Sequence, residues 1–463
     1  MAPVMQHGIV VPEALADHLK MKLNREGPFD YMIEQGGVIP NLEDLTLLET
    51  FLRDSVGAEN DSRSIPAGFT FLGQFIDHDI TLMELKMNQD DLSRRFPVNA
   101  FVNRRTPFFE LDSVYGLGLE AQGSGEILFH PSGKFRLGTD TGGIEQDVPR
   151  DAETERALIG DPRNDENKII QQIHNLFQRL HNRFIDEGQG YADARLSVMR
   201  HYQYMILNDY LARTIRKDVL EWVIEHQAPA YRALSARHGG VPVMPLEFSV
   251  AAFRFGHSQV RGGYALNDQF GAAIFSDNPA VPDLNGGRKL EPRQAIDWKF
   301  FFGTIGEGSV VQPSRRIDPL LSPALRLLKS PGIPDATVDS QASPRSLAKR
   351  NLFRAAQTGL ISGQSAAAAF GYKPIADDQL GLDIVPPPAG QKLIRHTPLW
   401  YYVLQEAHVQ EDGQRLGEVG SRILAETFVG GMLAAHYSVL KDGWKPANPA
   451  LGTMEGIAAH VTG

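Results

Sequence analysis

The segment from Glu166 to Asp186 constrains the fold most, because its apolar residues recur at steps of three and four. This spacing places them on one face of an α-helix, and that face must be buried against other elements. Polar capping residues precede the segment, while Gly188 and Gly190 follow it, as is typical of helix ends. Similar periodicity predicts further helices over 196–226, 345–357, 391–406 and 416–440. The sequence therefore predicts a mainly α fold.

Little β structure is expected. The clearest strand pattern lies in Gly123 to Leu137, which we interpret as a hairpin turning at residues 131–133. Proline and glycine cluster at 278–293 and 331–345, where we predict surface loops. Because no internal repeat or linker-like tract is visible, we expect one domain over 1–463. It would comprise an N-terminal arm (1–60), a motif-bearing core (66–357) and C-terminal helices (375–463).

Charge and composition exclude several classes of function. The 46 basic and 56 acidic residues give a net charge of −10, which argues against binding nucleic acid through overall charge. Without cysteine, the chain cannot use disulfides, thiolate-held metals or a cysteine nucleophile. No apolar run approaches the roughly 18 residues of a membrane span, and no ordinary signal peptide is visible. We therefore expect a soluble protein, cytoplasmic by default, although leaderless secretion leaves no mark in a sequence.

Two helical segments carry polar residues suited to chemistry. In Phe71–Leu82, a helix would place Gln74, Asp77 and His78 on one side. Arg163 and Glu166 lie at the start of the amphipathic helix, where the helix dipole favours the anionic Glu166 but offers nothing to Arg163. Some other group should therefore hold this arginine. Either cluster alone is more often a capped or solvated surface than a site.

Two further segments pair polar residues three positions apart. His257 follows an apolar run, and Arg254 precedes it by three residues; an imidazole can bind a metal, and a guanidinium can bind a carboxylate. Asn351 and Arg354 have the same spacing in 346–354. A single histidine on an apolar face is usually a core residue. An arginine beside it is costly, however, unless an anion lies between them.

The segment from Thr106 to Gly116 places oxygen donors at alternate positions. The side chains of Thr106, Glu110 and Asp112 flank the carbonyl of Phe108. Alternating oxygens suit a hard cation such as Ca²⁺, which takes about six to eight oxygen ligands. Because acidic residues are common in turns without any ion, this signal alone is moderate.

Together and in this order, five segments resemble the animal-type haem peroxidases, the superfamily of myeloperoxidase, lactoperoxidase and the cyclooxygenases, in its lean bacterial form. They are GQFIDHDIT, TPFFELDSVYG, GDPRNDE followed by IHNLFQRLHNRF, AAFRFGH, and LAKRNLFR, spread over residues 66–357. Five spaced motifs in the right order are far more specific than any one of them. The resemblance implies a large helical domain around a buried haem b.

The resemblance also implies a role for each matching residue. His78, Gln74 and Arg163 match the distal catalytic residues. His257 matches the proximal iron ligand, and Asn351 matches the residue hydrogen-bonded to its other nitrogen. The arginines facing the haem propionates correspond to Arg254 and Arg354, and the carboxylates that can form ester links to haem correspond to Asp77 and Glu166. The calcium site corresponds to Asp79, Thr106, Phe108, Glu110 and Asp112.

The activity implied is reduction of hydrogen peroxide through a ferryl intermediate, with oxidation of a small organic or (pseudo)halide donor, as in a response to oxidative stress. An imidazole with a pKa near about 6.5 can take the peroxide proton and return it to the leaving oxygen. A fixed cation such as Arg163 can stabilise the charge that develops as the O–O bond breaks. Peroxide and the donor are the expected partners, and the oligomeric state is left open.

Three departures refine this expectation. Cyclooxygenases and fatty-acid dioxygenases carry a radical-forming tyrosine three residues before the proximal histidine, where this chain has Arg254. A peroxidase is therefore favoured over a dioxygenase, which would need another tyrosine near the haem, such as Tyr202, Tyr204 or Tyr264. A haem-binding adhesion or scaffolding module is the third alternative. Asn167 replaces the methionine that myeloperoxidase links to its haem, so bromide, iodide, thiocyanate or organic donors are expected before chloride.

The third departure is Glu110, which stands where aspartate is more usual and so could reshape the calcium site. Two other histidines, His174 and His181, lie on the long amphipathic helix. We assign them to core packing or hydrogen bonding, not to iron. The region 375–463 is expected to pack as helices, with no chemistry assigned to it.

Overall fold

Helices dominate the computed structural model, which describes residues 4–6, 9–11, 26–33, 40–85, 95–120, 124–276, 278, 280–326, 328 and 345–463. This confirms the mainly α prediction. The α-helices are α1 Leu42–Phe51, α2 Gly68–Ile80, α3 Asp112–Tyr115, α4 Ser124–Leu128, α5 Lys168–Asp186, α6 Tyr191–Met205, α7 Leu211–Thr214, α8 Lys217–Glu225, α9 Pro229–Arg237, α10 Leu347–Thr358, α11 Gly363–Ala369, α12 Ala389–Arg395, α13 Leu399–Glu411, α14 Glu418–Ala434, α15 Val439–Asp442 and α16 Met454–Thr462.

Shorter helical segments connect these elements. Two are π-helical turns, Ile206–Tyr210 and Glu247–Ala251. The others are 3₁₀ helices: Ala58–Asn60, Val98–Ala100, Pro162–Asp165, Ala252–His257, Pro292–Gln294, Trp298–Phe300, Pro323–Arg326, Asp377–Gln379 and Pro449–Gly452.

The strands are short, from two to six residues long. One sheet has six strands in the order β2-β1-β5-β6-β3-β9, antiparallel except for the β3/β9 pair. Three two-stranded ribbons pair β10 with β11, β12 with β4, and β7 with β8. The strands are β1 Val4–Gln6, β2 Ile9–Val11, β3 Gly27–Asp30, β4 Asp61–Pro66, β5 Met83–Leu85, β6 Phe101–Asn103, β7 Gly138–Thr139, β8 Glu145–Asp147, β9 Met244–Pro245, β10 Gly263–Ala265, β11 Gly271–Ala273 and β12 Pro313–Arg315.

The long amphipathic helix forms as predicted, but it begins two residues later than the periodicity indicated. Asn167 caps α5, because its Oδ1 accepts hydrogen bonds from the backbone N–H groups of Ile169 and Ile170. The residues before it form the 3₁₀ helix Pro162–Asp165, which Asp161 caps. The apolar face of α5 is buried in a core cluster that runs along the chain from Phe29 to Val461.

Two predicted helices are each broken. The segment 196–226 bends through the π-helical turn Ile206–Tyr210 and breaks again at Ile215, which is extended and buried. The segment 391–406 divides into α12 and α13 at Pro398. Proline lacks the N–H group that a helix interior needs, and it also disfavours a helical residue before it.

The hairpin predicted over 123–137 is largely wrong. The turn at residues 131–133 forms, and Phe129 pairs with Phe135 across it, but residues 124–128 before it are helical. The rings of Phe129 and Phe135 lie 4.4 Å apart between centroids and pack against His181. Tertiary packing of these rings, and not a strand ladder, therefore shapes the segment.

The N-terminal and loop predictions are only partly testable. Much of residues 1–60 lies outside the described ranges, but α1 shows that the arm is not wholly irregular, and β1 to β3 join the large sheet. The loop predicted over 331–345 lies outside the described residues except for residue 345. No helix in the described ranges combines the length and apolar character needed to cross a membrane.

Carboxylates from one helix cap the ends of others throughout the C-terminal half. Glu406 of α13 accepts the backbone N–H groups of Val419 and Gly420 at the start of α14, at 3.0 to 3.2 Å. Glu426 does the same for α9, and Asp209 accepts the N–H of Met454 in α16. The first N–H groups of a helix have no partner within it, so these carboxylates fix how the helices pack.

Ionisation of Glu406 should make the protein less stable as the pH rises. Burial raises its pKa to about 8, and Glu418 adds to the shift. Because this folded-state pKa exceeds the unfolded value of about 4.3, ionisation opposes folding as the pH rises between the two values. The free energy of unfolding of the wild type should therefore decline relative to that of Glu406→Gln over this range, as measured by urea denaturation at a series of pH values.

Glu221→Gln is the matched control, because Glu221 is exposed and paired with Lys217. Its pH profile should follow that of the wild type. Parallel profiles for the wild type and Glu406→Gln would show that Glu406 is not the titrating group.

Candidate active site

A cavity lies between α2 and the 3₁₀ helix Ala252–His257. Its volume is about 760 Å³ when the solvent-filled opening is included. Its polar lining residues are Thr70, Gln74, Asp77, Glu166, Asn167, Arg254 and His257. The remaining lining is mainly apolar and aromatic, with Phe71, Tyr210, Phe253, Val260, Ile274, Phe275, Leu325, Leu328 and Leu347. Six of the residues singled out in the sequence thus meet around one cavity.

His257 is held by Asn351, as the resemblance implied for this pair. The side-chain nitrogen Nδ2 of Asn351 lies 2.9 Å from His257 Nδ1. If the amide is turned by 180°, its oxygen accepts the Nδ1–H of His257, and Nε2 keeps its lone pair for a metal. A neutral imidazole of this kind is the form that binds iron.

Arg254 joins the two walls of the cavity. Its Nη1 lies 2.7 Å from Asp77 Oδ2, and its Nε donates to the backbone oxygen of Ser249. The other oxygen of Asp77 accepts from the Thr81 hydroxyl at 2.9 Å. Trp400 of α13 donates to the backbone oxygen of Arg254, so the C-terminal helices support this wall. The anion that the sequence analysis required beside Arg254 is therefore present in the protein itself.

The Arg354 guanidinium has no carboxylate partner among the described residues. Its one hydrogen bond there is a weak contact of Nη1 with Met83 Sδ at 3.7 Å. Burial, together with the charges of Arg254 and Arg350, lowers the pKa of Arg354 to about 10. A cation in this situation is stabilised by an anionic ligand. A buried cation and an imidazole fixed by an amide are groups whose chemistry fits a haem.

The opposite wall holds an oriented amide. Gln74 Nε2 donates to Glu166 Oε2 at 2.9 Å, and Gln74 Oε1 accepts from Asn167 Nδ2 at 3.2 Å. Both ends of the Gln74 amide are thus fixed. Asn167 has two roles, because it orients Gln74 and also caps α5.

His78 is fully buried on α2 and bonds to Asn164. Its Nδ1 lies 2.9 Å from Asn164 Oδ1, and Asn164 Nδ2 lies 3.0 Å from His174 Nδ1. Since an amide oxygen only accepts, His78 carries its proton on Nδ1, and Nε2 is the basic nitrogen. Neither His78 nor Arg163 is among the side chains that line the cavity. Sequence analysis missed Asn164, although it lies inside the GDPRNDE motif.

Arg163 finds the partner that the sequence analysis required in Asp161. Arg163 donates to Asp161 through Nε at 3.1 Å and Nη2 at 2.8 Å, and its Nη2 also donates to the backbone oxygen of His78 at 2.9 Å. Arg105 binds the same carboxylate. Although burial acts in the opposite direction, these two cations hold the pKa of Asp161 well below its usual range. Asp161 therefore fixes Arg163 next to the backbone of His78.

The predicted calcium residues converge only in part. Asp79 accepts the backbone N–H groups of Leu111 and Ser113, and burial together with the charge of Asp112 raises the pKa of Asp79 to about 7. The Thr106 hydroxyl donates to Asp112 at 3.3 Å. No group of three or more His, Asp or Glu side chains placed to hold a metal occurs within the described ranges. Two facing carboxylates with a neighbouring hydroxyl are hard oxygen donors that fit a calcium ion.

The two histidines assigned to the core are hydrogen-bonded there. His174 meets Asn164, while His181 lies 3.1 Å from the Tyr115 hydroxyl and 3.0 Å from the backbone oxygen of Gly133. Burial lowers the pKa of His181 to about 4, so it is neutral. The structure thus confirms both as hydrogen-bonded core residues.

Sequence comparison agrees with the resemblance seen in the motifs. A family model described as animal haem peroxidase matches residues 84–343, which is more than half of the chain. No curated protein sequence matches the chain.

Several solved structures share the fold. Peroxidase A from Dictyostelium discoideum superposes with a TM-score of 0.62 and 16% sequence identity, over 95% of this chain and 93% of that one. The fatty acid alpha-dioxygenase of Oryza sativa gives a TM-score of 0.57 and 14% identity, over 95% of this chain and 80% of that one. A variant of that dioxygenase with palmitic acid gives 0.56 and 14%, over 98% and 89%. At these identities the likeness shows the fold alone.

Removing the two roles of Asn167 should destabilise the protein. Asn167→Ala removes the oxygen that caps Ile169 and Ile170, which should cost about 1 kcal/mol. Asn167→Ser keeps a capping oxygen and should lose less. Thermal unfolding of both variants measures the difference. Asn208→Ala, at an exposed position, is the control, and equal losses for the two Asn167 variants would contradict the capping role.

Proposed function

The chain belongs to the animal haem peroxidase family, and on that premise we propose that it is a peroxidase that binds haem b, reduces hydrogen peroxide and oxidises a small organic or (pseudo)halide donor. One observation carries the proposal. The cavity has a histidine fixed by an amide on one wall and an oriented amide with two carboxylates on the other. The family consists of haem enzymes that act as oxidoreductases, which this arrangement suits.

His257 would hold the iron through Nε2, with Asn351 accepting its Nδ1–H. When bound, haem supplies the redox-active iron that cleaves the O–O bond of peroxide. A neutral amide polarises the imidazole less than a carboxylate does, and so it fixes the tautomer without adding charge. Arg354 and Arg254 would pair with the haem propionates. Asp77 and Glu166, both lining the cavity, are the carboxylates we propose for ester links.

On the distal side, His78 is the proposed acid and base. Its Nδ1–H is committed to Asn164, so Nε2 can accept the peroxide proton and return it to the leaving oxygen. Arg163 would stabilise the charge that develops on that oxygen. Asp161 holds this guanidinium in place before the reaction begins, so no reorganisation is needed.

The donor should be one that is easier to oxidise than chloride. The position of the myeloperoxidase methionine is taken by Asn167, which bonds to Gln74 and caps α5. No sulfonium link to haem can form there. We therefore propose organic compounds, bromide, iodide or thiocyanate as donors, in a response to oxidative stress.

A fatty-acid dioxygenase is the alternative that the fold neighbours raise. The position of its radical tyrosine is occupied by Arg254, whose guanidinium is paired with Asp77. An arginine cannot supply a hydrogen-abstracting radical. The geometry therefore favours the peroxidase, and oxygen uptake with a fatty acid tests the alternative directly.

A calcium ion is proposed between α2 and the loop before α3. Asp79 and Asp112 would provide the charge, with oxygens from Thr106, Phe108 and Glu110. Asp79 directly follows His78 in α2, so an ion here would fix the position of α2 and of His78.

Haem binding should depend on His257. Protein produced with ample haem should show a Soret absorption band that His257→Ala loses or shifts, together with peroxide-dependent oxidation of an organic donor that the variant lacks. Colour that stays with the denatured protein through acid solvent extraction, with a matching intact mass, would show ester-linked haem. Removing both carboxylates in Asp77→Asn/Glu166→Gln should abolish that adduct.

His226→Ala, at an exposed histidine, is the control and should behave as wild type. A wild type without a Soret band would overturn the proposed function. A Soret band without peroxide turnover would point to a haem-binding module, and oxygen uptake with a fatty acid would point to a dioxygenase.

Calcium removal should lower haem retention or peroxide turnover. A strong chelator acting on the wild type, or Asp79→Asn, removes the charge that binds the ion and loosens α2 next to His78. Metal analysis, haem content and turnover of the same samples provide the measurement. Asp186→Asn, at an exposed site, is the control. Unchanged activity after verified loss of calcium would count against this role.

A further inference from the structure

The side chain of Asn164 lies between two buried imidazoles that come from different helices. Its Oδ1 is 2.9 Å from Nδ1 of His78 on α2, and its Nδ2 is 3.0 Å from Nδ1 of His174 on α5. All three side chains are fully buried. Within the described ranges, the hydrogen bonds of this amide go to these two rings. The two rings therefore decide which way the amide points.

An amide between two imidazoles links the proton positions of both rings. Its oxygen can only accept a hydrogen bond, and its nitrogen can only donate one. The ring that faces the oxygen must therefore carry a proton on Nδ1, and the ring that faces the nitrogen must present a lone pair there. With the amide as it lies, His78 has its proton on Nδ1, and His174 has its proton on Nε2. The opposite direction would exchange these states and remove the base at Nε2 of His78.

Aromatic packing holds the His174 ring against α2. The ring lies edge-on to Phe75, with 6.3 Å between centroids and 74° between planes. Phe75 stacks in turn on Phe177, at 4.9 Å and 5°. Phe75 precedes His78 by three residues on α2, and Phe177 follows His174 by three residues on α5. These close contacts restrict rotation of the His174 ring and keep its Nδ1 at Asn164.

We propose that His174 is a positioning residue for the reaction with peroxide. Acting through Asn164, it fixes the proton of His78 on Nδ1 and so keeps Nε2 of His78 available as the base. Without His174, the Asn164 nitrogen loses its acceptor, and both directions of the amide become accessible. The inference rests on the proposed function, because it concerns the residue that we assign as acid and base.

Nuclear magnetic resonance of the haem-loaded protein tests the inference. The ferrous carbon monoxide complex is diamagnetic, and in protein with ¹⁵N-labelled histidine the long-range correlations of the ring nitrogens distinguish the two neutral tautomers. His78→Gln and His174→Asn identify the signals of the two rings by their loss. The wild type should show opposite tautomers, with the proton on Nδ1 in His78 and on Nε2 in His174. This measurement requires no altered site.

Two variants then test the link between the rings. His174→Leu should shift His78 partly or wholly to the tautomer protonated on Nε2. His174→Asn offers an oxygen that can accept from the Asn164 nitrogen, and it should restore the tautomer protonated on Nδ1.

Ligand-binding rates give a second readout. The reaction of the ferric protein with peroxide needs a base, as does binding of hydrogen cyanide, which must lose its proton to bind iron. Carbon monoxide binds the ferrous protein without any proton transfer. Because acid–base catalysis contributes roughly 10²–10⁴-fold, His174→Leu should slow the first two reactions by about tenfold or more and change carbon monoxide association by less than about twofold.

His181→Leu is the matched control. His181 lies on the same helix and is equally buried, but its hydrogen bonds go to Tyr115 and Gly133. It should match the wild type in the His78 tautomer and in all three rates.

The same tautomer in both rings of the wild type, or an unchanged His78 tautomer in His174→Leu, would overturn the inference. Equal slowing of carbon monoxide and peroxide in that variant would also overturn it, because it would show a general loosening of the site. A normal Soret band and peroxide turnover in the wild type would leave the proposed function standing in each case. A wild type without haem would overturn both.

Discussion

Burial of α2 is the constraint on which the rest of the site depends. Its polar side chains Asp77, His78 and Asp79 are buried, and Gln74 is half-buried at the cavity. Leaving one such group without a partner costs about 1–3 kcal/mol. Each therefore bonds to a different part of the chain. Gln74 bonds to Glu166 and Asn167, and Asp77 bonds to Arg254. His78 bonds to Asn164, and Asp79 accepts a backbone N–H from the loop before α3. These partners fix the position of the distal helix relative to both cavity walls.

Amides contact the neutral side chains to which we assign chemical roles. Asn351 holds His257, Asn164 holds His78, and Asn167 holds Gln74. A neutral amide fixes a tautomer and a direction without drawing the proton away from an imidazole. Charged pairs are kept for anchoring, as where Asp161 holds Arg163 and Arg105. This division suits a site in which the histidines must stay neutral until substrate arrives.

The C-terminal helices, to which the sequence analysis assigned no chemistry, contact residues that line the cavity. Trp400 bonds to the backbone of Arg254, and Phe428 of α14 packs against Phe253 and Tyr210. Carboxylates such as Glu406 cap neighbouring helices and so lock this layer together. The position of the cavity-lining Tyr210 thus depends on residues about two hundred positions away along the chain.

The sequence by itself determined the helical class, the presence of α2 and α5, and the identity of most polar residues that line the cavity. Helical periodicity and motif spacing can both be read from the sequence without knowing how the helices pack. The structure alone decided which residues meet: Arg254 with Asp77, Asn164 between two histidines, and Tyr210 against Gly73. In the structure, a π turn interrupts the segment 196–226, and most of the predicted hairpin is helix and packed aromatic rings. Those outcomes depend on contacts between residues far apart in the chain, which no local pattern encodes because the competing energies arise only when the core is assembled.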